Sequence, residues 1–232
     1  MHHLLVKIPT RSRPKEFLRT LETFVSKQSG DNKITYLISI DDDDYSMDHT
    51  VLYAARTLIG KDGIIVLRSR AGKIGSVNRD MDRAPDDYDI LLQPADDWVA
   101  RVHGWDQYIV DELSWFPNLD GVAWFYDGHQ PNIDTLSIMG RAYYERFNYI
   151  YYPEYRTFWA DNEFTEVADR LDKLLFSPNV LFEHIHPDWI HSQGYDGQKR
   201  GYDQLYIEND KPEDKIWDEK LFKTRQAMNF GL

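Results

Sequence analysis

Two rhythms of apolar positions alternate along the first hundred residues. Leu4 to Ile8 is a short apolar run that stops at Pro9-Thr10-Arg11-Ser12-Arg13-Pro14, after which Phe17, Leu18, Leu21, Phe24 and Val25 recur at steps of three and four. The first pattern predicts a strand and the second a helix. Ile34 to Ile40 repeats the strand signal, ends at four aspartates and precedes a helix carrying Val51, Leu52, Ala55 and Leu58. Ile64 to Leu67 predicts a third strand, with a helix from about Ile74 to Met81 after the Gly72-Lys73 loop. Ile90 to Leu92 predicts a fourth strand, which runs directly into Pro94-Ala95-Asp96-Asp97. Parallel strands need crossover connections, so this alternation predicts an α/β fold: a mostly parallel central sheet with helices on both faces. In such sheets ligands bind beyond the carboxyl ends of the strands. Three of those ends carry clustered charge: Arg11 and Arg13, then Asp41 to Asp44, then Asp96 and Asp97.

The second half is less regular and more aromatic. Gly121 to Tyr126 and Val180 to His184 read as strands, Arg141 to Phe147 and Asp161 to Leu171 as helices, and nine aromatic residues crowd between Tyr143 and Trp159. After Pro187 polarity rises and only Ile216 to Phe222 keeps a helical pattern, so residues 188–232 are expected to form a partly mobile C-terminal extension packed on the domain of residues 1–187. No Pro/Gly/Ser linker divides the chain.

Composition narrows the function. The 232 residues include 7 Trp, 15 Tyr and 11 Phe, enough aromatic area for a core, and 27 Lys plus Arg against 39 Asp plus Glu give a formal charge of −12. That balance disfavours a nucleic-acid partner, because the phosphate attraction driving such binding is missing on average. With no Cys in the chain, any metal must sit on carboxylate, imidazole or carbonyl groups. The N-terminal apolar run is too short for a signal peptide and no run approaches the roughly 20 residues of a bilayer span, so a cytoplasmic protein is expected.

Asp96-Asp97, adjacent carboxylates at a strand's end, can hold a hard divalent cation together with phosphate oxygens, or can serve only as a polar turn before the segment Trp98 to Ile109. In the acidic run, Asp41 and Asp42 can accept hydrogen bonds from a ribose or a base, while Asp43 and Asp44 are left to solvent. Arg11, Arg13 and Lys73 can contact a diphosphate or simply balance that run. Asp161 and Glu163 open a helix, where carboxylates favour the dipole, but either could act as a general base. His184, His186 and His191 lie close together, and one of them could complete a carboxylate-rich metal site. No Gly-x-Ser-x-Gly, Walker-type loop or Gly-x-Gly-x-x-Gly occurs, which removes the main support for hydrolase, P-loop kinase and dehydrogenase readings.

Ile8-Pro9-Thr10-Arg11-Ser12-Arg13-Pro14, Ile40-Asp41-Asp42, Gly72-Lys73-Ile74-Gly75-Ser76-Val77-Asn78 and Ile90-Leu91-Leu92-Gln93-Pro94-Ala95-Asp96-Asp97 together resemble, in order and spacing, the motifs of family 2 glycosyltransferases with the GT-A (Rossmann-like) fold. The resemblance covers residues 4 to 187. It implies a base and ribose pocket on Pro9, Thr10, Arg11 and Asp41, completed by Gly72, Ser76 and Asn78. The family's Asp-x-Asp motif binds Mn²⁺ or Mg²⁺ and the diphosphate; here its first Asp is replaced by Pro94, and Asp96 and Asp97 remain. Trp159-Ala160-Asp161-Asn162-Glu163-Phe164 resembles the acceptor motif Glu-Asp-x-Glu-Leu, with its leading Glu replaced by Ala160, and implies Asp161 as the catalytic base. The His completing the metal site falls on His184 or His186. The activity implied is metal-dependent, inverting transfer of a sugar from a nucleotide-sugar donor, a UDP-sugar favoured, to a hydroxyl of a glycan, small molecule, protein or hydroxymethylated DNA base. The rivals are a nucleotide-sugar-binding protein without catalysis and a metal-dependent nucleotidyltransferase.

Overall fold

The computed structural model describes residues 1–187 and 202–232. Along the chain these form β1 (His3–Thr10), α1 (Pro14–Ser26), β2 (Lys33–Asp41), α2 (His49–Ile59), β3 (Ile64–Arg68), α3 (Gly72–Asn78), β4 (Ile90–Gln93), β5 (Trp98–Ala100), α4 (Trp105–Leu113), β6 (Val122–Phe125), β7 (Ser137–Gly140), α5 (Arg141–Phe147), α6 (Ala160–Arg170), β8 (Leu174–Ser177), β9 (Phe182–His184), α7 (Gln204–Asn209) and α8 (Pro212–Ala227). Seven strands make the main sheet in the order β3-β2-β1-β4-β7-β6-β8. All its pairings are parallel except those of β7, which runs antiparallel to both β4 and β6.

Strand alternation divides the core in two. Leu4, Val6 and Ile8 of β1 with Ile90 and Leu92 of β4 face Phe17, Leu21 and Phe24 of α1 and Trp105 and Ile109 of α4. Leu5 and Leu91 face the opposite way, toward Ile74 and Val77 of α3, Tyr143 of α5, Phe164 and Val167 of α6 and Phe222 of α8. Helices therefore cover both faces, the α/β architecture expected from the alternation.

Several boundaries differ from the sequence pattern. The helix expected to reach Met81 ends at Asn78, because Arg79 turns extended (ψ 167°); Asp80 is then left-handed (φ 68°) and starts a separate short turn over Met81–Arg83. The segment Trp98 to Ile109 splits into β5 and α4 at Gly104 (φ 76°). The strand expected over Val180 to His184 is β9, and it pairs antiparallel with β5, Trp98 opposite His184, instead of joining the main sheet. β7 carries no extended apolar signal. Its terminal Gly140 is obligatory, since a Cβ there would lie 1.7 Å from the Leu119 carbonyl oxygen. Among the described residues no helix is long and apolar enough to cross a membrane.

Candidate functional site

A cleft of about 300 Å³ opens at the carboxyl ends of β1, β2 and β4. Pro9 and Thr10 line it from the end of β1, Arg11 and Arg13 from the loop that follows, Asp41 from the end of β2, and Gly72, Lys73 and Ser76 from α3. Asp96, Asp97, Asp161, His184 and His186 line the same cleft.

On the β2 side, Asp41 is buried between two guanidinium groups. Arg11 Nη1 lies 3.0 Å from Oδ2 and Arg79 Nη2 lies 2.9 Å from Oδ1. Asp43 is exposed and Asp44 half-buried, so the later members of the run face solvent while each also has a partner. Asp43 pairs with Arg11, and Asp44 accepts from the Ser12 backbone N–H at 2.6 Å. Asp42, in the turn that follows β2, is exposed and does not line the cleft. Asn78 also lies outside the lining. Its amide is spent on the chain at 150–151, accepting from the Ile150 and Tyr151 N–H groups and donating to the Tyr151 carbonyl. Asp42 and Asn78 are therefore corrections to the expected nucleotide pocket.

The two adjacent carboxylates are unequal. Asp96 is held by Thr10 Oγ1, which donates to its Oδ2 at 2.8 Å, and by Arg13 Nη1, 3.2 Å from its Oδ1. Burial pushes its carboxyl above the usual carboxylate range, and the Asp97 charge adds to this while Arg13 opposes it. Arg13 is equally committed. Its Nε and Nη2 donate to Asp203 at 2.8 and 2.9 Å, so the guanidinium ties the β1–α1 loop to the acidic pair and to the chain before α7. In this arrangement Arg13 does not present itself to a diphosphate, and Lys73 is the better-placed cation of that pair.

Asp97 instead faces a histidine. The β5–β9 pairing brings His184 Nε2 to 3.5 Å from Asp97 Oδ1, the Asp97 carbonyl accepts from the Ile185 N–H at 2.8 Å, and the His184 ring stacks on Trp98 with centroids 4.6 Å apart. β9 ends at His184, yet the His186 ring lies only 5.2 Å from that of His184. His191 lies outside the described residues. Among the described residues no group of three or more His, Asp or Glu side chains is placed to hold a metal ion together. An oxygen and an imidazole nitrogen this close can share one divalent ion whose remaining positions are left for phosphate and water, and an imidazole favours Mn²⁺ over Mg²⁺. Asp97 Oδ1 and His184 Nε2 thus fit a cation, while both Asp96 oxygens are turned to Thr10 and Arg13.

At the other wall α6 begins on Trp159, a bulky residue held at φ 65°. Its ring packs on Phe222 of α8, centroids 5.0 Å apart, which holds this strained turn. The turn delivers Asp161 to the cleft in the first turn of the helix. Burial raises the Asp161 carboxyl above its ordinary value, opposed by Lys73 and by the Asn162 N–H. Glu163 points elsewhere, as two helical positions are about 200° apart. It is buried, accepts from Tyr155 Oη at 2.8 Å and pairs with Arg225 of α8 at 2.8 Å. The cleft also takes in Tyr151 and Phe158 of the aromatic segment at the Asp161 end, and Tyr206 of α7, a residue with no signal in the local sequence, beside Asp97.

No protein-family model matches the chain, and no curated protein matches it by sequence. By structure it is similar to the mannosyltransferase PcManGT from Pyrobaculum calidifontis in complex with GDP-Man and Mn²⁺, with TM-score 0.61 and 15% identity over 81% of this chain and 58% of that one. It is also similar to Drosophila β1,4-galactosyltransferase 7 in complex with manganese, UDP-Gal and xylobiose, with TM-score 0.52 and 15% identity over 89% of this chain and 79% of that one. A third is 4-diphosphocytidyl-2C-methyl-D-erythritol synthase from Anaerococcus prevotii, with TM-score 0.54 and 11% identity over 90% and 94% of the two chains. The chain therefore spans little more than half the length of the mannosyltransferase. At these identities the likeness is one of fold, the GT-A type of α/β architecture that glycosyltransferases share with nucleotidyltransferases.

Proposed function

We propose that this chain is a metal-dependent, inverting glycosyltransferase of the family 2 kind, moving a hexosyl or pentosyl group from a nucleotide sugar, a UDP-sugar favoured, to an acceptor hydroxyl. The observation that carries this reading is one cleft that holds an Asp97–His184 pair suited to a cation and a buried Asp161 whose proton affinity is raised. The Mn²⁺ and nucleotide sugars in the mannosyltransferase and galactosyltransferase complexes support it.

In this reading Thr10, Arg11 and Asp41 hold the nucleoside end of the donor, and the backbone of Gly72 with Lys73 and Ser76 faces the diphosphate. Asp97 and His184 hold the divalent ion, which when bound offsets charge growing on the leaving nucleoside diphosphate. Asp161 accepts the acceptor hydroxyl's proton as its oxygen forms a bond to the anomeric carbon and the bond to the diphosphate breaks from the opposite side. Burial of Asp161 suits this role, because a carboxylate that binds protons more readily is a stronger base. Tyr151 and Phe158 give the Asp161 end flat apolar faces against which a ring can stack.

Calorimetry with UDP and GDP, with Mn²⁺ and with EDTA, tests the donor half; equal affinity in both would remove the metal from the reading. Asp161→Asn, which keeps shape and charge-independent packing, should reduce turnover by roughly 10²–10⁴-fold with nucleotide-sugar affinity and melting temperature preserved. Full activity in that variant would end the single-displacement mechanism. The synthase likeness keeps nucleotidyl transfer as the second reading, and released pyrophosphate instead of a nucleoside diphosphate would establish it.

A further inference from the structure

Tyr206 of α7 stands 109 positions from Asp97 in the chain, yet its hydroxyl donates to Asp97 Oδ2 at 2.7 Å. The contact is built from several sides. Asp203 caps α7 by accepting from the Tyr206 N–H at 3.0 Å, and the same carboxylate holds Arg13. The Arg13 guanidinium in turn lies over the Tyr206 ring, 4.1 Å from its centroid, and the His186 ring meets that ring edge-on at 5.0 Å. Tyr206 is thereby fixed in position against the acidic pair.

The two oxygens of Asp97 have different neighbours. Oδ2 takes the Tyr206 hydroxyl at 2.7 Å and lies 3.6 Å from Arg13 Nη1, while Oδ1 lies beside His184 Nε2. The backbone fixes where Asp97 starts, since its carbonyl is bonded to Ile185, but not how its carboxylate is rotated. A hydrogen bond to one oxygen removes that freedom and aims the other. Hydrogen bonds of this kind, made to a ligating carboxylate by a group that does not itself touch the ion, typically change metal affinity by 10–100-fold.

We propose that Tyr206 is a positioning residue of the cation site, its hydroxyl holding Asp97 by Oδ2 so that Oδ1 is turned to His184. The inference rests on the reading of Asp97 and His184 as cation ligands. It also makes α7, from the part of the chain with the weakest sequence pattern, a working part of the donor site.

The test is Mn²⁺ binding to the full chain with saturating UDP, followed by the electron paramagnetic resonance of free Mn²⁺. The variants are Tyr206→Phe, Tyr206→Leu and Asp97→Asn. Tyr206→Phe is expected to raise the Mn²⁺ dissociation constant roughly 10–100-fold without changing the melting temperature. It should also alter the visible spectrum of bound Co²⁺, which a purely structural role would leave unchanged. Tyr206→Leu should weaken binding at least as much. Unchanged or tighter Mn²⁺ binding in Tyr206→Phe, while Asp97→Asn loses it, would overturn the proposal and leave the cation site standing. Weakening in Tyr206→Leu alone would overturn it too, by assigning the effect to the ring. Mn²⁺ binding that is equal in wild type and Asp97→Asn would overturn the cation reading itself.

Discussion

A lysine buried in a sheet loses its hydration, and Lys7 is wholly buried on the α3 side of β1. Its Nζ donates to Ser39 Oγ at 2.7 Å and to the Ser76 carbonyl at 3.0 Å, tying β1 and β2 to the helix that lines the cleft. Burial lowers its pKa to about 7, with Asp80 pulling the other way. An unfolded lysine titrates near ~10.4, so between these values the folded state binds fewer protons than the unfolded one. Stability should therefore rise as pH climbs from about 7 toward 10, and the cost of the buried charge is full below that window. Lys7→Met should flatten this rise, the difference between the two proteins changing by on the order of 4 kcal/mol across the window. Urea unfolding of both proteins at pH 7 and pH 10 measures it; parallel curves would assign the pH dependence to another group.

The wall of the cleft that carries Asp161 depends on α8, whose Asp218 lies 60 to 62 positions after the residues it holds. Asp218 of α8 is fully buried and accepts from the backbone N–H groups of Arg156, Thr157 and Phe158 at 2.9, 2.8 and 2.8 Å. It thereby folds the loop that enters α6 at the strained Trp159. Removing the carboxylate strands three donors, each bond to a charged group being worth roughly 1.5–3 kcal/mol. Asp218→Ala should accordingly lose at least about 3 kcal/mol in chemical denaturation. Turnover should fall with it, because Phe158 and Asp161 lose their support, whereas nucleotide affinity should persist on β1, β2 and α3. Nucleotide binding lost in step with turnover would mean that α8 supports the whole cleft.

At the scale of the whole molecule, α8 and the short turn after it complete the second core. Phe222 and Phe230 are 7% and 5% exposed, and Arg225 neutralises the buried Glu163. Stripping them from a chain cut after Pro187 would forfeit roughly 1.5–3 kcal/mol per aromatic side chain and leave a buried carboxylate unpaired, at roughly 3–5 kcal/mol. That sum rivals the 5–15 kcal/mol that typically holds a domain together. Residues 1–187 alone should thus show no cooperative thermal transition in calorimetry. A sharp transition near that of the full chain would make residues 188–232 an accessory to a domain that folds alone.

The sequence by itself determined the local elements. β1 to β4 and the helices between them follow from apolar spacing and from turn residues such as Gly72 and Pro94, which act over a few positions. The same spacing put Arg11, Asp41 and Asp96 at strand ends, because a parallel sheet brings those ends to one edge. The tertiary structure alone decided which partners each strand-end group meets. Arg13 had the same signal as Lys73, but Asp203, far along the chain, claims it; Asp96 and Asp97 were twins until Thr10 took one and Tyr206 and His184 the other. The turning of β7 against its neighbours, the pairing of Trp98 with His184 and the reach of Tyr206 to Asp97 likewise depend on where the chain returns. Hydrophobic periodicity reports which face of an element is buried, and it carries no information about which distant side chain will meet that face.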